Sequence, residues 1–187
     1  MKNQLINFMK KTQLTFLLVV LVMFNGYCQD FEVFKEGVGG NTSGQMLSRI
    51  NSSVLSHNPT TTIVLAGTND FLNLPKLASM EEYESNLREI VDRVLDSGSG
   101  VVLMTIPAII ESIWIEDKTD EVIASYEPEG QNGRLVLANE IVSQIASEKG
   151  LVLIDTYTLF ENNMNLLSND GVHPTTAGAR AITDLLY

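Results

Sequence analysis

The stretch Thr62-Ile63-Val64-Leu65-Ala66 runs directly into Gly67-Thr68-Asn69-Asp70. Five apolar or β-favouring residues without a charge have the length and composition of a strand covered on both faces, which is the habit of parallel sheets. The polar tetrapeptide then marks the strand's carboxyl end. Outward from this junction the pattern alternates. Ser79 and Glu82 have capping-box spacing, and Tyr83, Leu87, Ile90, Val91 and Val94 fall on one face, so a helix is expected over residues 79–95, stopped by Gly98 and Gly100. Residues 101–106 and 151–154 read as further strands, and residues 32–35 as a first one. Helices are expected at residues 44–55, at 134–148 ahead of Gly150, and after Pro174, where Ala177, Ala181, Ile182 and Leu185 repeat at helical spacing. Strand and helix in alternation predict a three-layer α/β/α sandwich with a mainly parallel central sheet, and its site beyond the carboxyl ends of the strands.

The chain has 187 residues, 44% hydrophobic and 19% charged, enough for one domain with a real core. Its first 28 residues read differently from the rest. Lys2, Lys10 and Lys11 precede an apolar run over residues 16–24, followed by a short polar stretch ending near Cys28. This is the form of a secretory signal peptide, and the run is shorter than the roughly 20 residues of a membrane span. Residues 1–28 are therefore expected to be a leader, removed on export to the periplasm or beyond, and residues 29–187 the domain. Lipid attachment at Cys28 and a buried strand over the run are the alternatives; six residues separate Phe24 from Phe31, fewer than the dozen a parallel crossover needs. Cys28 is the sole cysteine, so the domain has no internal disulfide and no cysteine-based metal site. Loss of the three leader lysines leaves nine basic against 23 acidic residues, a formal charge of −14. Such a surface repels phosphate backbones and anionic lipid, which argues against a nucleic-acid partner.

Three motifs fall where expected strands end. Asp170-Gly171-Val172-His173-Pro174 sets a carboxylate and an imidazole three residues apart, close enough for Asp170 to accept the Nδ1 proton and leave Nε2 as a base. Asp170 as a cap of the last helix, with His173 a surface residue, is the other reading. Asn69 could offer its amide to a developing oxyanion, or simply occupy a turn. Gly37-Val38-Gly39-Gly40-Asn41-Thr42-Ser43 could bring a backbone N–H close to a ligand, or form a turn. No phosphate-binding Gly-x-x-x-x-Gly-Lys loop and no Gly-x-Ser-x-Gly elbow occurs. His57 and His173 are the only histidines, neither with carboxylates at ligand spacing, so no metal is expected; His57, beside Asn58 and Pro59, reads as a solvated loop residue.

Taken in order, the three motifs resemble conserved blocks of the SGNH (GDSL-like) hydrolase family over residues 33–187. The resemblance implies a flavodoxin-like sandwich and hydrolysis of carboxylic esters, such as acetyl or short acyl groups on a carbohydrate, with no cofactor. It places the oxyanion donors at Gly40 and Asn69, the orienting aspartate at Asp170 and the general base at His173. The family's Gly-Asp-Ser block, which carries the nucleophile and the first strand, has no counterpart in this sequence. Ser43, near an expected helix N-terminus, is the candidate nucleophile, with helix capping beside Thr42 as its alternative role. A module that keeps the crevice and binds a glycan or acyl group without catalysis is the alternative function. Residues 107–132 lack clear periodicity and mix Trp114 and several isoleucines with charge, as binding loops or lids do. Trp114 reads either as a wall of the substrate pocket or as core.

Overall fold

The computed structural model describes residues 32–74 and 77–186. The expected leader, Cys28 and the apolar run lie outside the described residues. Lys35–Tyr187 forms one compact unit separate from Met1–Phe34. Among the described residues its regular elements are α1 (Ser43–Ser53), a 3-10 turn (Leu55–His57), β1 (Thr61–Val64), α2 (Thr68–Leu72), α3 (Met80–Asp96), β2 (Gly100–Met104), α4 (Glu111–Trp114), α5 (Asp120–Ala124), α6 (Gly130–Lys149), β3 (Val152–Ile154), α7 (Thr156–Glu161), a 3-10 turn (Met164–Leu166) and α8 (Thr176–Asp184).

The architecture is an α/β/α sandwich on a parallel sheet of order β1-β2-β3. The register sets Ile63 beside Val102 and Val102 beside Val152. Side chains alternate across a strand, so Val64, Val101 and Leu103 face one way. There they join the main core with Ile50 of α1, the α3 stripe and Leu135, Ala138, Val142 and Ile145 of α6. The α3 stripe is the one its spacing predicts: Tyr83, Leu87, Ile90, Val91 and Val94 are all buried. Ser79 caps that helix by accepting the Glu82 N–H. A smaller cluster, Ala108, Phe160 and Leu167 with Ile182 against it, holds α7, the second 3-10 turn and α8.

Several expectations need correction. Residues 32–35 are not a strand: the described sheet consists of β1, β2 and β3, and a strand exists only where a ladder partner runs beside it. Full cover on both sheet faces also fails, because Ile63 is 50% exposed and Val152 61%. Helix α6 begins at Gly130, four residues before the expected Arg134. Its first turn is satisfied from afar, by the Glu111 carboxylate accepting the Asn132 N–H, so no local cap announces the start. The irregular stretch over residues 107–132 holds α4, α5 and the first turn of α6. His57 is half-buried, with Nε2 3.0 Å from a Glu36 oxygen, and is therefore more than a solvated loop residue.

Candidate active site

The loop before α8 is built around one carboxylate. Asp170 Oδ1 accepts the N–H groups of Val172 and His173, each at 2.9 Å, and the Ser168 hydroxyl at 2.7 Å. The Ser168 N–H in turn donates to the His173 carbonyl at 2.7 Å, closing the loop. Gly171 makes the reversal possible with φ +73, and its carbonyl takes the Ile110 N–H at 2.8 Å, which fastens the loop to the segment after β2. The remaining oxygen, Oδ2, lies 2.7 Å from His173 Nδ1. Backbone N–H donation from His173, then from Val172, holds the Asp170 carboxyl well below the usual carboxylate range, so it remains an acceptor and fixes the ring with Nε2 outward. The His173 side chain is 79% exposed, and among the described residues no group hydrogen-bonds to Nε2. Asp170 does not cap α8; Thr175 does, through the Gly178 N–H.

Asn69 lies in α2, whose start is set by Gly67 at φ +120, three residues past the end of β1. Its Nδ2 donates to the Asn41 carbonyl at 3.2 Å. A carboxamide has two N–H donors, so one remains for a ligand. Gly40, φ +79, stands in the turn closed by the Asn41 N–H on the Val38 carbonyl. It does not wall the cleft described below; its loop reaches the cleft through the Asn41–Asn69 bond.

Ser43 is the first residue of α1 and is fully buried. Capping falls to Thr42, which exchanges hydrogen bonds with Gln45 in a complete capping box. The Ser43 hydroxyl donates to Asp70 Oδ1 at 2.5 Å and accepts from Asn86 Nδ2 at 3.1 Å. The Ser43 N–H also donates to both Asp70 oxygens, at 3.1 and 2.9 Å. Asp70, with no exposed surface, is the functional-site neighbour that sequence reading passed over. An acid embedded between Asn69 and the apolar pair Phe71-Leu72 was the available signal. Together the Asp70–Ser43 and Asn69–Asn41 bonds latch the Gly40 loop to the end of β1. Burial, then the Asp70 charge, push the Tyr83 phenol up, so it stays a neutral donor to the Ala66 carbonyl at 3.0 Å.

His173, Asp170 and Asn69 share a cleft of about 610 Å³. Thr68, Leu72, Asn73, Ile113, Trp114 and Lys118 are among its other walls. Trp114 belongs to both worlds, core and cleft: it is 7% exposed, meets Tyr126 edge-on at 5.3 Å, and carries the Lys118 ammonium 4.9 Å above its ring. Lys118 also pairs with Asp117. The site thus brings Asn69, Asp170, His173 and Trp114 together and leaves Ser43 in the interior.

A model of the GDSL-like lipase/acylhydrolase family matches residues 23–181. The acetylxylan esterase of Geobacillus stearothermophilus is 29% identical over 158 residues, which cover 78% of this chain and 66% of that protein. The chain therefore spans just under two thirds of that relative. A structure of the same esterase, a catalytic mutant with a histidine replaced by alanine, superposes with a TM-score of 0.64 at 25% identity, over 81% of this chain and 68% of that one. Another catalytic mutant of it has a serine replaced by alanine. A GDSL-like lipase from Bacteroides thetaiotaomicron gives a TM-score of 0.67 at 22% identity, covering 81% of this chain and 71% of that one.

Proposed function

Because the chain belongs to the GDSL-like lipase/acylhydrolase family, we propose that it hydrolyses acetyl or short acyl esters of carbohydrate, with His173 as general base and Asp170 as its orienting partner. One observation carries this reading: a histidine whose Nδ1 is held 2.7 Å from a carboxylate lines the same cleft as Asn69. The esterase named above supports the substrate class.

The nucleophile in this proposal is water, since the Ser43 hydroxyl is buried and its proton is committed to Asp70. Nε2 of His173 removes a proton from water as the oxygen attacks the acyl carbonyl carbon. The carbonyl π electrons move to oxygen, and the resulting oxyanion is met by the Asn69 amide. Collapse breaks the bond to the sugar oxygen, which takes the proton from the imidazolium and leaves as the alcohol; the other product is the carboxylic acid. Each oxyanion donor contributes on the order of 3 kcal/mol to lowering the barrier, and the base about 10²–10⁴ in rate. The side chains of Trp114, Ile113 and Leu72 offer the acyl group apolar surface.

Export belongs to the same reading: residues 1–28 act as a leader, and the intact mass of protein recovered from a bacterial periplasm should begin near residue 29. Activity is tested by turnover of acetylated xylo-oligosaccharides and a simple acetyl ester, wild type against His173→Ala. Turnover by wild type no faster than His173→Ala would defeat the proposal. Attack by water further predicts no acyl-enzyme on quenched intact-mass spectra, whereas a covalent acyl adduct would mean a side-chain nucleophile. The buried Ser43 and the absent Gly-Asp-Ser block favour the binding-module alternative, whose signature would be saturable binding of the acetylated oligosaccharide without turnover.

A further inference from the structure

We infer that Arg49, a side chain of α1 outside the cleft, aims the second N–H of the Asn69 amide by holding Asn41. It is thus a positioning residue for the hydrolysis proposed above, and its effect on rate rests on that reading. Arg49 Nε donates to Asn41 Oδ1 at 2.9 Å, and Nη1 to the Ser53 hydroxyl at 3.1 Å. That hydroxyl donates back to the Arg49 carbonyl at 2.9 Å, so the guanidinium is held at both ends. The Asn41 N–H closes its turn on the Val38 carbonyl at 3.2 Å, and the Asn41 carbonyl receives Asn69 Nδ2, also at 3.2 Å. Arg49 therefore fixes the side chain of the residue whose carbonyl carries the oxyanion donor. It is not among the cleft's walls, so any effect on the chemistry passes through Asn41.

Two features make this more than a surface bond. The first is charge. No carboxylate stands on α1, and among the described residues none pairs with Arg49, whereas Arg88, Arg93 and Lys149 each hold one. A guanidinium that stays charged at every working pH, with no carboxylate to draw it away, keeps its neutral acceptor without competition. The second is the softness of a carboxamide. The terminal torsion of asparagine has broad wells, so the amide plane follows what its partners impose. With one N–H on the Asn41 carbonyl, the direction of the other is set by where that carbonyl stands, and a misplacement of about 1 Å costs on the order of 10²-fold in rate. Beyond Asn41 the backbone is secured by the Thr42 capping box and the Ser43–Asp70 bonds, which do not use Arg49. Removing the guanidinium therefore frees Asn41 without unfolding α1.

Kinetics on a simple acetyl ester and proton–nitrogen correlation spectra test the inference together. Arg49→Ala and Asn41→Ala, which remove donor and acceptor in turn, should each lower kcat about 10–10²-fold with KM within about twofold. The pH profile should keep its shape, because Asp170 and His173 are untouched. In an Asn69→Ala background Arg49→Ala should lower kcat no further, whereas a purely structural arginine would lower it equally in both. Arg93→Ala, which loses only a surface ion pair on α3, is the control and should keep the wild-type rate. In the spectra the Asn69 side-chain amide pair, identified by its absence from Asn69→Ala, should shift in Arg49→Ala and in Asn41→Ala. Wild-type kcat in both variants, equal losses in both backgrounds, or an unmoved amide pair would each overturn the inference. If the wild type turns over no ester, the activity proposal falls by itself, and the amide pair alone decides the positioning.

Discussion

Replacing Ser43 by alanine separates a buried tie from a nucleophile. In the native state Asp70, without exposed surface, receives the Ser43 N–H on both oxygens and the Ser43 hydroxyl at 2.5 Å. The substitution deletes only the hydroxyl. A hydrogen bond to a charged group contributes about 1.5–3 kcal/mol, and the orphaned side of the carboxylate stays out of water. The Asn86 amide, only partly buried, loses its acceptor but can turn to solvent, which adds little. Ser43→Ala should therefore cost about 2–3 kcal/mol, a fall in melting temperature of about 5–10 °C for a domain of this size. Asp70→Ala strands three donor contacts at once and should cost more, about 3–5 kcal/mol. Urea melts followed by circular dichroism give the midpoint and the m-value, which should be unchanged. Ester turnover per folded molecule should stay within about threefold of wild type, an interval far inside the 10²–10⁴ attached to a lost general base. Unchanged stability would refute the tie. Lost turnover at unchanged stability would make Ser43 the nucleophile after all.

Three further outcomes follow from the same geometry. Asp170 has its carboxyl depressed by the His173 and Val172 N–H groups. A depressed carboxylate contributes stability that is whole above its unfolded value of about 4 and is lost as pH falls toward the folded value, so the stability gap between wild type and Asp170→Asn should be flat near neutrality and shrink below about pH 4 in parallel melts. Gly67→Ala should destabilise by about 3 kcal/mol or more, because φ is +120 and the new Cβ would stand 2.3 Å from Ile106 Cδ1. Gly98→Ala is its control: φ +87 with nothing within 4 Å should cost only the backbone term, about 1–2 kcal/mol, and equal losses in the two variants would sink the steric account. Trp114→Ala should lose about 3–5 kcal/mol, because the ring is core as well as cleft wall, and a loss below about 1 kcal/mol would show that the cleft alone holds it.

What was legible in the sequence was what is local. The α3 stripe is a matter of spacing within one helix, and all five of its members are buried. The Asp170–His173 contact spans three residues in one loop, so the tautomer argument needed no tertiary structure. The family resemblance reached Asn69 because its motif is contiguous. What escaped is carried by long-range bonds with no local signature. Ser43 and Asp70 are 27 residues apart, and the helix cap and the buried tie differ only in which of two adjacent hydroxyls, Thr42 or Ser43, points inward. The Gly130 start of α6 escaped for the same reason, its donor satisfied by Glu111 from 21 residues away.

The open face of the sheet shows a different limit. An apolar strand announces that its side chains seek cover, and composition cannot say whether the cover comes from the same chain. Ile63 and Val64 are neighbours of the same chemical kind, yet Val64 lies in the main core and Ile63 stands half in solvent. The site lies at the carboxyl end of that same β1, where Gly67 turns the chain into α2 and sets Asn69 against Asn41. Whatever steadies the end of β1 therefore steadies Asn69, the oxyanion donor proposed above, as well.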